Sequence, residues 1–343
     1  MNHHTTISID LAKTIFQIAI FSRHGKPLLN QAVKARKMCQ LVSQYPNAVI
    51  LMEACGTAHH WGRYFSQRGH TIQLIPAQLA AKYRSGNKND RNDAIAIFEA
   101  SKHSKLHPVS VRTLEQQDVA VLHKFREGIK KERLQVSNRI RGLALEYGVA
   151  IPQGIKALMR ALPEALEDAD NELTPAARQV LQALGEQLSG ILERYEEAGQ
   201  LLQSHVKTLV PCEILTSLPG FGWIVASCVY AKFGDAKQFK RGRDGSACLG
   251  IVPAHAGSGG RVTLGHITRR GDSYTRTMVI NGARSVVATA RKKSDPLSLW
   301  VQQLLTTKSF NVVVAVANKL VRMAVATLKT GQPYQPPVAQ VKA

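Results

Sequence analysis

Four carboxylates and one serine stand out as residues whose types and spacing could do chemistry. Asp10 closes the alternating, β-branched run TTISID, and Glu53 closes the apolar run NAVILME. Asp90 and Asp93 lie three residues apart where the polar segment SGNKNDRN gives way to a helical pattern. That spacing puts both near one face of a first helical turn. Converging carboxylates offer hard oxygen ligands that can hold one or two Mg²⁺ ions at a phosphodiester. The three aspartates also have a bland reading. Asp10 can be a strand-end turn residue, and Asp90 and Asp93 can be an N-cap and a first-turn acid favoured by the helix dipole. Glu53 ends a run too apolar to bury a lone carboxylate cheaply, which favours a site.

The serine is Ser258, set among Gly257, Gly259 and Gly260 in AGSGGR. Glycines leave a hydroxyl exposed and let backbone approach a ligand. His255, Arg261, His266, Arg269 and Arg270 lie nearby in sequence. They suit a serine attacking a phosphodiester, which needs cations around the phosphate and help in losing its proton. Taken alone, a Gly-Ser-Gly-Gly run is usually a flexible loop. Ser273, in GDSYTR, reads as the N-cap of the following helix and is the competing serine. Leu218–Ala226 (LPGFGWIVA) reads either as a helix-hairpin-helix turn that brings amides to a phosphate or as a plain helix start.

The elements that must position these groups follow from periodicity. Residues 5–10, 14–21 and 28–33 read as three strands, 35–44 as a helix, and 47–53 as a strand buried on both faces. A helix over 58–68, a strand over 71–75 and a helix over 77–83 follow. This is the order of an RNase H-like sheet, shared by actin-like ATPases. The segment after Asp10, Leu-Ala-Lys-Thr, lacks the Gly-rich phosphate loop of the latter. Residues 85–92 read as a loop and 93–103 as a helix. Residues 114–147 and 178–209 read as long charged helices around an irregular or weakly helical stretch, 148–175, an arrangement that suits an antiparallel helical hairpin or coiled coil, or else a plain helical linker. Lys124, Arg126, Lys130 and Arg133 crowd the first of them and are candidate nucleic-acid contacts, together with Arg261, Arg269 and Arg270. Beyond residue 214 the pattern is mostly helical around a Gly-rich stretch, 251–271. Residues 332–343 read as a disordered tail.

Composition narrows the partners. The 343 residues carry 45 Lys plus Arg against 24 Asp plus Glu, a net charge of +21. That surplus favours a polyanion through counterion release. Five cysteines without a C-x-x-C pair argue against a disulfide framework or zinc ribbon and fit a reducing cytosol. No secretory pattern or membrane-length apolar run is present, so the expectation is a cytoplasmic, nucleoid-associated protein with no membrane partner.

The chain resembles transposases of the insertion-sequence 110 family, in particular the 1111 branch. The resemblance rests on SIDLAKTIFQIAIF, LMEACGTAHHWGRYF, KNDRNDAIAI, SLPGFGWIVA, CLGIVPAHAGSGGRVTLGHITRRGDSYTRTMVINGARS and ANKLVRMAVATLKTG, and covers nearly the whole chain. It implies a RuvC-like domain over 1–107, a coiled-coil arm over 108–210, a mostly α-helical, serine-bearing transposase domain over 211–331 and a tail. It maps the DEDD tetrad onto Asp10, Glu53, Asp90 and Asp93 and the nucleophile onto Ser258. It also implies Mg²⁺, a covalent phosphoserine–DNA intermediate, and a homo-oligomer, dimer or tetramer, whose subunits share the tetrad and the serine. The partners it implies are donor and target DNA and a structured guide RNA from the element's own non-coding end. Two other readings stand beside it: a metal-only nuclease in which the serine loop merely binds, and a non-catalytic nucleic-acid-binding protein.

Overall fold

A computed structural model describes residues 5–85, 89–104, 106–256, 263–307 and 312–336. The chain forms two compact units, one of residues 1–115 with 233–247 and the other of 116–232 with 248–343.

The first unit is built on a five-stranded sheet. Strands β1 (Thr6–Asp10), β2 (Ile15–Phe21) and β3 (Pro27–Lys34) form an antiparallel meander, and helix α1 (Ala35–Ser43) leads into β4 (Val49–Glu53). Helix α2 (Ala58–Ser66) leads into β5 (Thr71–Ile75), followed by α3 (Ala77–Ala80), a 3₁₀ turn and α4 (Asp90–Ser101). The strand order is β3-β2-β1-β4-β5, with β1, β4 and β5 mutually parallel. This mixed α/β sheet is consistent with an RNase H-like domain. Both faces are covered, which is why β4 is apolar at every position but its last. Ile7, Ile9, Ile18, Ile50 and Met52 pack beneath α1 and α2. Leu51, Ala19 and Val49 pack with Ala94, Ile97 and Phe98 of α4. The β-branched runs therefore form strands because each side chain, up or down, finds a core.

Helix α4 starts at Asp90, earlier than the expected start at residue 93. Asn89 is its N-cap and accepts from the Asn92 amide at 2.8 Å. A side-chain oxygen at that position satisfies one of the amide donors a helix start leaves orphaned.

The second unit is mostly helical. It holds α5 (Leu114–Leu145, beginning in the first unit), α6 (Ile155–Glu167), α7 (Pro175–Lys207), α8 (Val210–Thr216) and α9 (Trp223–Phe233, ending in the first), whereas α10 (Gly242–Cys248) belongs to the first unit up to its last residue, Cys248. Helix α6 lies in the stretch expected to be irregular or weakly helical. Its Leu158 and Leu162 bury in a core shared with Ile129, Val136 and Ile140 of α5 and with Leu181, Leu184 and Leu188 of α7. Tertiary burial thus outweighs Pro163 inside the helix. Arg178 closes the α6–α7 connector: its guanidinium donates to Leu173 O, Ala165 O, Leu166 O, Asp168 O and Asn171 Oδ1.

The Gly-rich stretch carries no periodic signal of its own. It contains an antiparallel pair, β6 (Pro253–Ala256) and β7 (Thr263–Ile267). Helices α11 (Ser273–Thr289), α12 (Pro296–Thr307) and α13 (Val312–Thr330) complete the unit. The cap of α11 is Asp272, whose carboxylate accepts from the Thr275 amide. Ser273, the expected cap, is instead the first helical residue and is exposed. Asp is as good an N-cap as Ser, and an adjacent pair gives sequence alone no way to rank them. Residues 337–343 of the expected tail lie outside the described residues. Among the described residues, no helix is long and apolar enough to cross a membrane.

Candidate active site

Asp10, Asp90 and Asp93 converge: one carboxylate oxygen from each lies within 4.8 Å of the other two. The convergence follows from the sheet. Strand β1 pairs in parallel with β4, Ile9 opposite Met52, so Asp10 and Glu53 end adjacent strands at the same edge. Helix α4 crosses this edge and is tied down by polar contacts. Ser8 Oγ donates to Ala94 O at 2.6 Å. Gln17, paired with Asp10 in the β1–β2 register, donates to Asn30 Oδ1 at 2.6 Å, and Asn30 Nδ2 donates to Arg91 O at 3.1 Å. These ties hold the first turn of α4, with its two aspartates, over the end of β1.

The electrostatics fit an acidic cation site. Burial first, then the charges of Asp93, Asp90 and Glu53, push the Asp10 carboxyl up to about 6, while Arg84 pulls it down. Glu53 is therefore close enough to be felt by Asp10, but it is not one of the three groups that converge within 4.8 Å. The Arg84 guanidinium forms an ion pair with Asp93 through Nε and Oδ1. Sequence reasoning misses Arg84, since a lone arginine before a polar loop carries no signal. An all-oxygen set that raises the pKa of its own member suits a hard divalent cation, which relieves the repulsion. Asp10, Asp90 and Asp93 are the residues that would hold it, with Glu53 beside them.

The second unit carries the remaining candidates. Ser258 and Arg261 lie outside the described residues. Arg269 and Arg270 are exposed on the segment between β7 and α11, as is Lys124 on α5. The other three basic candidates on α5 have partners within the chain. Arg126 and Arg133 stack on the Tyr195 ring, 4.5 and 4.7 Å from its centroid, and Lys130 pairs with Glu127 at 3.3 Å. Stacking leaves guanidinium edges able to meet a phosphate.

A buried polar group locks the start of α11 to its neighbours. His123 Nε2 lies 2.8 Å from Ser227 Oγ, and its Nδ1 lies 3.0 Å from Tyr274 Oη. Ser227 Oγ donates to Trp223 O, so its lone pairs are left to accept from His123, and Tyr274 donates to the other ring nitrogen. Burial, then Arg126, lowers the His123 pKa to about 4, which keeps the ring neutral. The LPGFG turn is also accounted for internally. Gly220, at φ +76°, sits against Gly282 of α11, where a Cβ would overlap the Gly282 carbonyl and lie 2.8 Å from Val286 Cγ2. At Gly222 a Cβ would meet nothing within 4 Å.

Comparison with known proteins bears on both units. Residues 7–148 match a family model for transposases of the DEDD type in the IS110 family, and residues 212–297 match the Transposase IS116/IS110/IS902 family. A probable family 20 transposase of Pseudomonas aeruginosa is 37% identical over 96% of this chain and 98% of its own length. The transposase of insertion sequence element IS1111A from Coxiella burnetii is 36% identical over 96% and 91%. That of IS1328 from Yersinia enterocolitica is 35% identical over 94% and 96%.

Proposed function

Because the chain belongs to the IS116/IS110/IS902 family of DNA transposases, we propose that it cleaves and rejoins DNA through a serine nucleophile, Ser258, assisted by a Mg²⁺-binding tetrad, Asp10, Glu53, Asp90 and Asp93. The observation that carries this reading is the convergence of Asp10, Asp90 and Asp93 within 4.8 Å at the edge of an RNase H-like sheet. A bound divalent cation supplies neutralising charge at the scissile phosphate. The chain's own groups do the rest. Ser258 Oγ attacks phosphorus, the Oγ–P ester forms, and the P–O bond to the adjoining nucleotide breaks. The Oγ proton passes to a base or water, and the departing oxygen takes up a proton to become a free hydroxyl. Attack on the phosphoserine by a hydroxyl of the partner strand regenerates the serine and joins the new strands. The basic residues Lys124, Arg126, Lys130, Arg133, Arg261, Arg269 and Arg270 are assigned to phosphate contacts.

In this reading residues 1–107 act as the RuvC-like part, 108–210 as a coiled-coil arm and 211–331 as the serine-bearing part. The tetrad of one subunit works with the serine of another in a dimer or tetramer. A structured guide RNA from the element's non-coding end pairs with donor and target DNA. That assignment rests on the family resemblance, and the +21 net charge is compatible with it.

The test is a denaturing gel on end-labelled donor DNA with Mg²⁺. The wild-type chain is expected to give a protein–DNA adduct whose peptide carries Ser258. Ser258→Ala should lose both the adduct and strand joining by at least about 10³-fold, the scale on which removal of a nucleophile is felt. An adduct that survives Ser258→Ala and disappears in Ser273→Ala would move the nucleophile to the exposed serine of α11. Nicking by the wild type with no adduct would make the chain a metal-only nuclease.

A further inference from the structure

The feet of the β6–β7 hairpin cross at unusually close range. Gly250 has φ +67°, and a Cβ there would run into the backbone of Arg270 and lie 2.8 Å from the Arg269 carbonyl carbon. Gly271 has φ +79°, and a Cβ there would overlap the Cys248 carbonyl. The Thr268 amide donates to Val252 O at 2.9 Å and the Arg269 amide to Gly250 O at 3.1 Å. From α11, Arg276 Nη1 donates to Leu249 O at 3.0 Å and to Arg270 O at 3.2 Å, tying both feet together. The backbone from 268 to 271 is thereby fixed.

One residue in this root breaks the pattern. Arg269 has φ +54°, in the left-handed region, yet it is not glycine. A Cβ in that region crowds the following carbonyl. Two other non-glycine residues among those described share the conformation, and each has a local reason. Asn47 is a residue type that tolerates it, and Ala236 is fully buried, so its methyl group packs. Arg269 has neither. Its side chain is exposed and makes no hydrogen bond or ion pair with any described residue. Among the described residues, therefore, nothing gives a return for the strain. A strained backbone carrying an exposed cation with no partner among the described residues points to a contact made in a complex.

We propose that Arg269 grips a DNA backbone phosphate at the root of the β6–β7 hairpin, with the locked left-handed backbone setting the direction of its guanidinium. This rests on the reading of the chain as a DNA transposase, but not on which serine is the nucleophile. DNA is favoured over RNA because the chain belongs to a family of DNA transposases, whichever serine is the nucleophile.

Binding of the full chain to duplex donor DNA, followed by fluorescence anisotropy across a salt series, tests it, alongside thermal unfolding. Arg269→Gly is expected to raise the unfolding midpoint by about 1–3 °C as the strain is released, partly offset by glycine's greater freedom when unfolded. The same variant should bind about tenfold more weakly at about 0.1 M salt, with the slope of log affinity against log salt shallower by about one, the effect of losing one phosphate contact. Arg269→Lys should keep most of the affinity and the slope. Unchanged affinity and slope in Arg269→Gly, with the wild type binding normally, would overturn the proposal alone. So would a loss confined to RNA, or an equal loss in Lys37→Ala, which removes one exposed charge from α1 and would assign the effect to overall charge. A wild-type chain that binds no DNA would overturn the transposase reading and this proposal with it.

Discussion

Asp10→Asn is expected to abolish strand cleavage and yet make the metal-free protein more stable at neutral pH. The loss of activity follows from removing one of three converging oxygen ligands, and should reach at least about 10³-fold if the cation provides the transition-state charge stabilisation typical of such sites. The gain in stability follows from the raised Asp10 pKa of about 6, against an ordinary 3.8. Between those values the folded chain holds the proton and the unfolded chain does not. Stability of the metal-free protein therefore falls as pH rises through that window, and the full cost is present above about pH 6. An asparagine in its place carries no such charge. Because Asp10 is only half-buried and solvent screens its neighbours, the gain is about 1–2 kcal/mol rather than the full value of the shift, or roughly 2–6 °C in the unfolding midpoint. Scanning calorimetry with chelator at about pH 7 and about pH 4 checks it: the advantage of Asp10→Asn should be present at the first and gone at the second. Added Mg²⁺ should raise the midpoint of the wild type and leave that of Asp10→Asn nearly unmoved.

The second large effect is expected at Gly282, where helix propensity predicts the opposite sign. An alanine in the middle of α11 should gain about 1 kcal/mol on propensity alone. Here its methyl would overlap the Gly220 carbonyl oxygen and lie 3.3 Å from the carbonyl carbon. The obstacle is backbone, which cannot swing aside as a long side chain would. The LPGFG turn and α11 must part, opening the packing around Val225 and Val286. Overpacking of this kind should leave Gly282→Ala less stable by about 2–3 kcal/mol net, read as a lower urea midpoint at unchanged slope. Gly222→Ala is the matched control, since its Cβ meets nothing within 4 Å, and it should stay within about 0.5 kcal/mol of wild type. A loss of DNA affinity in Gly222→Ala without loss of stability would favour the helix-hairpin-helix reading of this turn.

How far the sequence reveals this structure depends on whether the signal is local. The strands of the sheet are readable because Ile7, Ile9, Ile18 and Ile20 alternate or run together between clear turn residues. Asp10 and Glu53 stand out because they end those runs, and the strand order makes them neighbours. The start of α4 is hard to place because SGNKNDRN has loop composition, and only the Asn89 cap reveals that the helix already begins at Asp90. Helix α6 is hidden by Pro152, Gly154 and Pro163, since the burial that outweighs them comes from α5 and α7, outside the local window. The same limit applies to Arg84, Ser8, Gln17 and Asn30, whose roles depend on partners 9 to 86 residues away. Gly250 and Gly271 look like loop composition. Their requirement comes from two backbone segments crossing, which no spacing rule encodes.

The proposed chemistry depends above all on Asp10, Asp90 and Asp93 forming a divalent-cation site. Anomalous diffraction from crystals of the DNA-bound protein grown with Mn²⁺ addresses it most directly. A peak is expected within about 2.5 Å of an oxygen from each of the three aspartates, and no such peak in Asp93→Asn. Ordered Mn²⁺ bound elsewhere, with these three carboxylates free of metal beside the DNA, would contradict it.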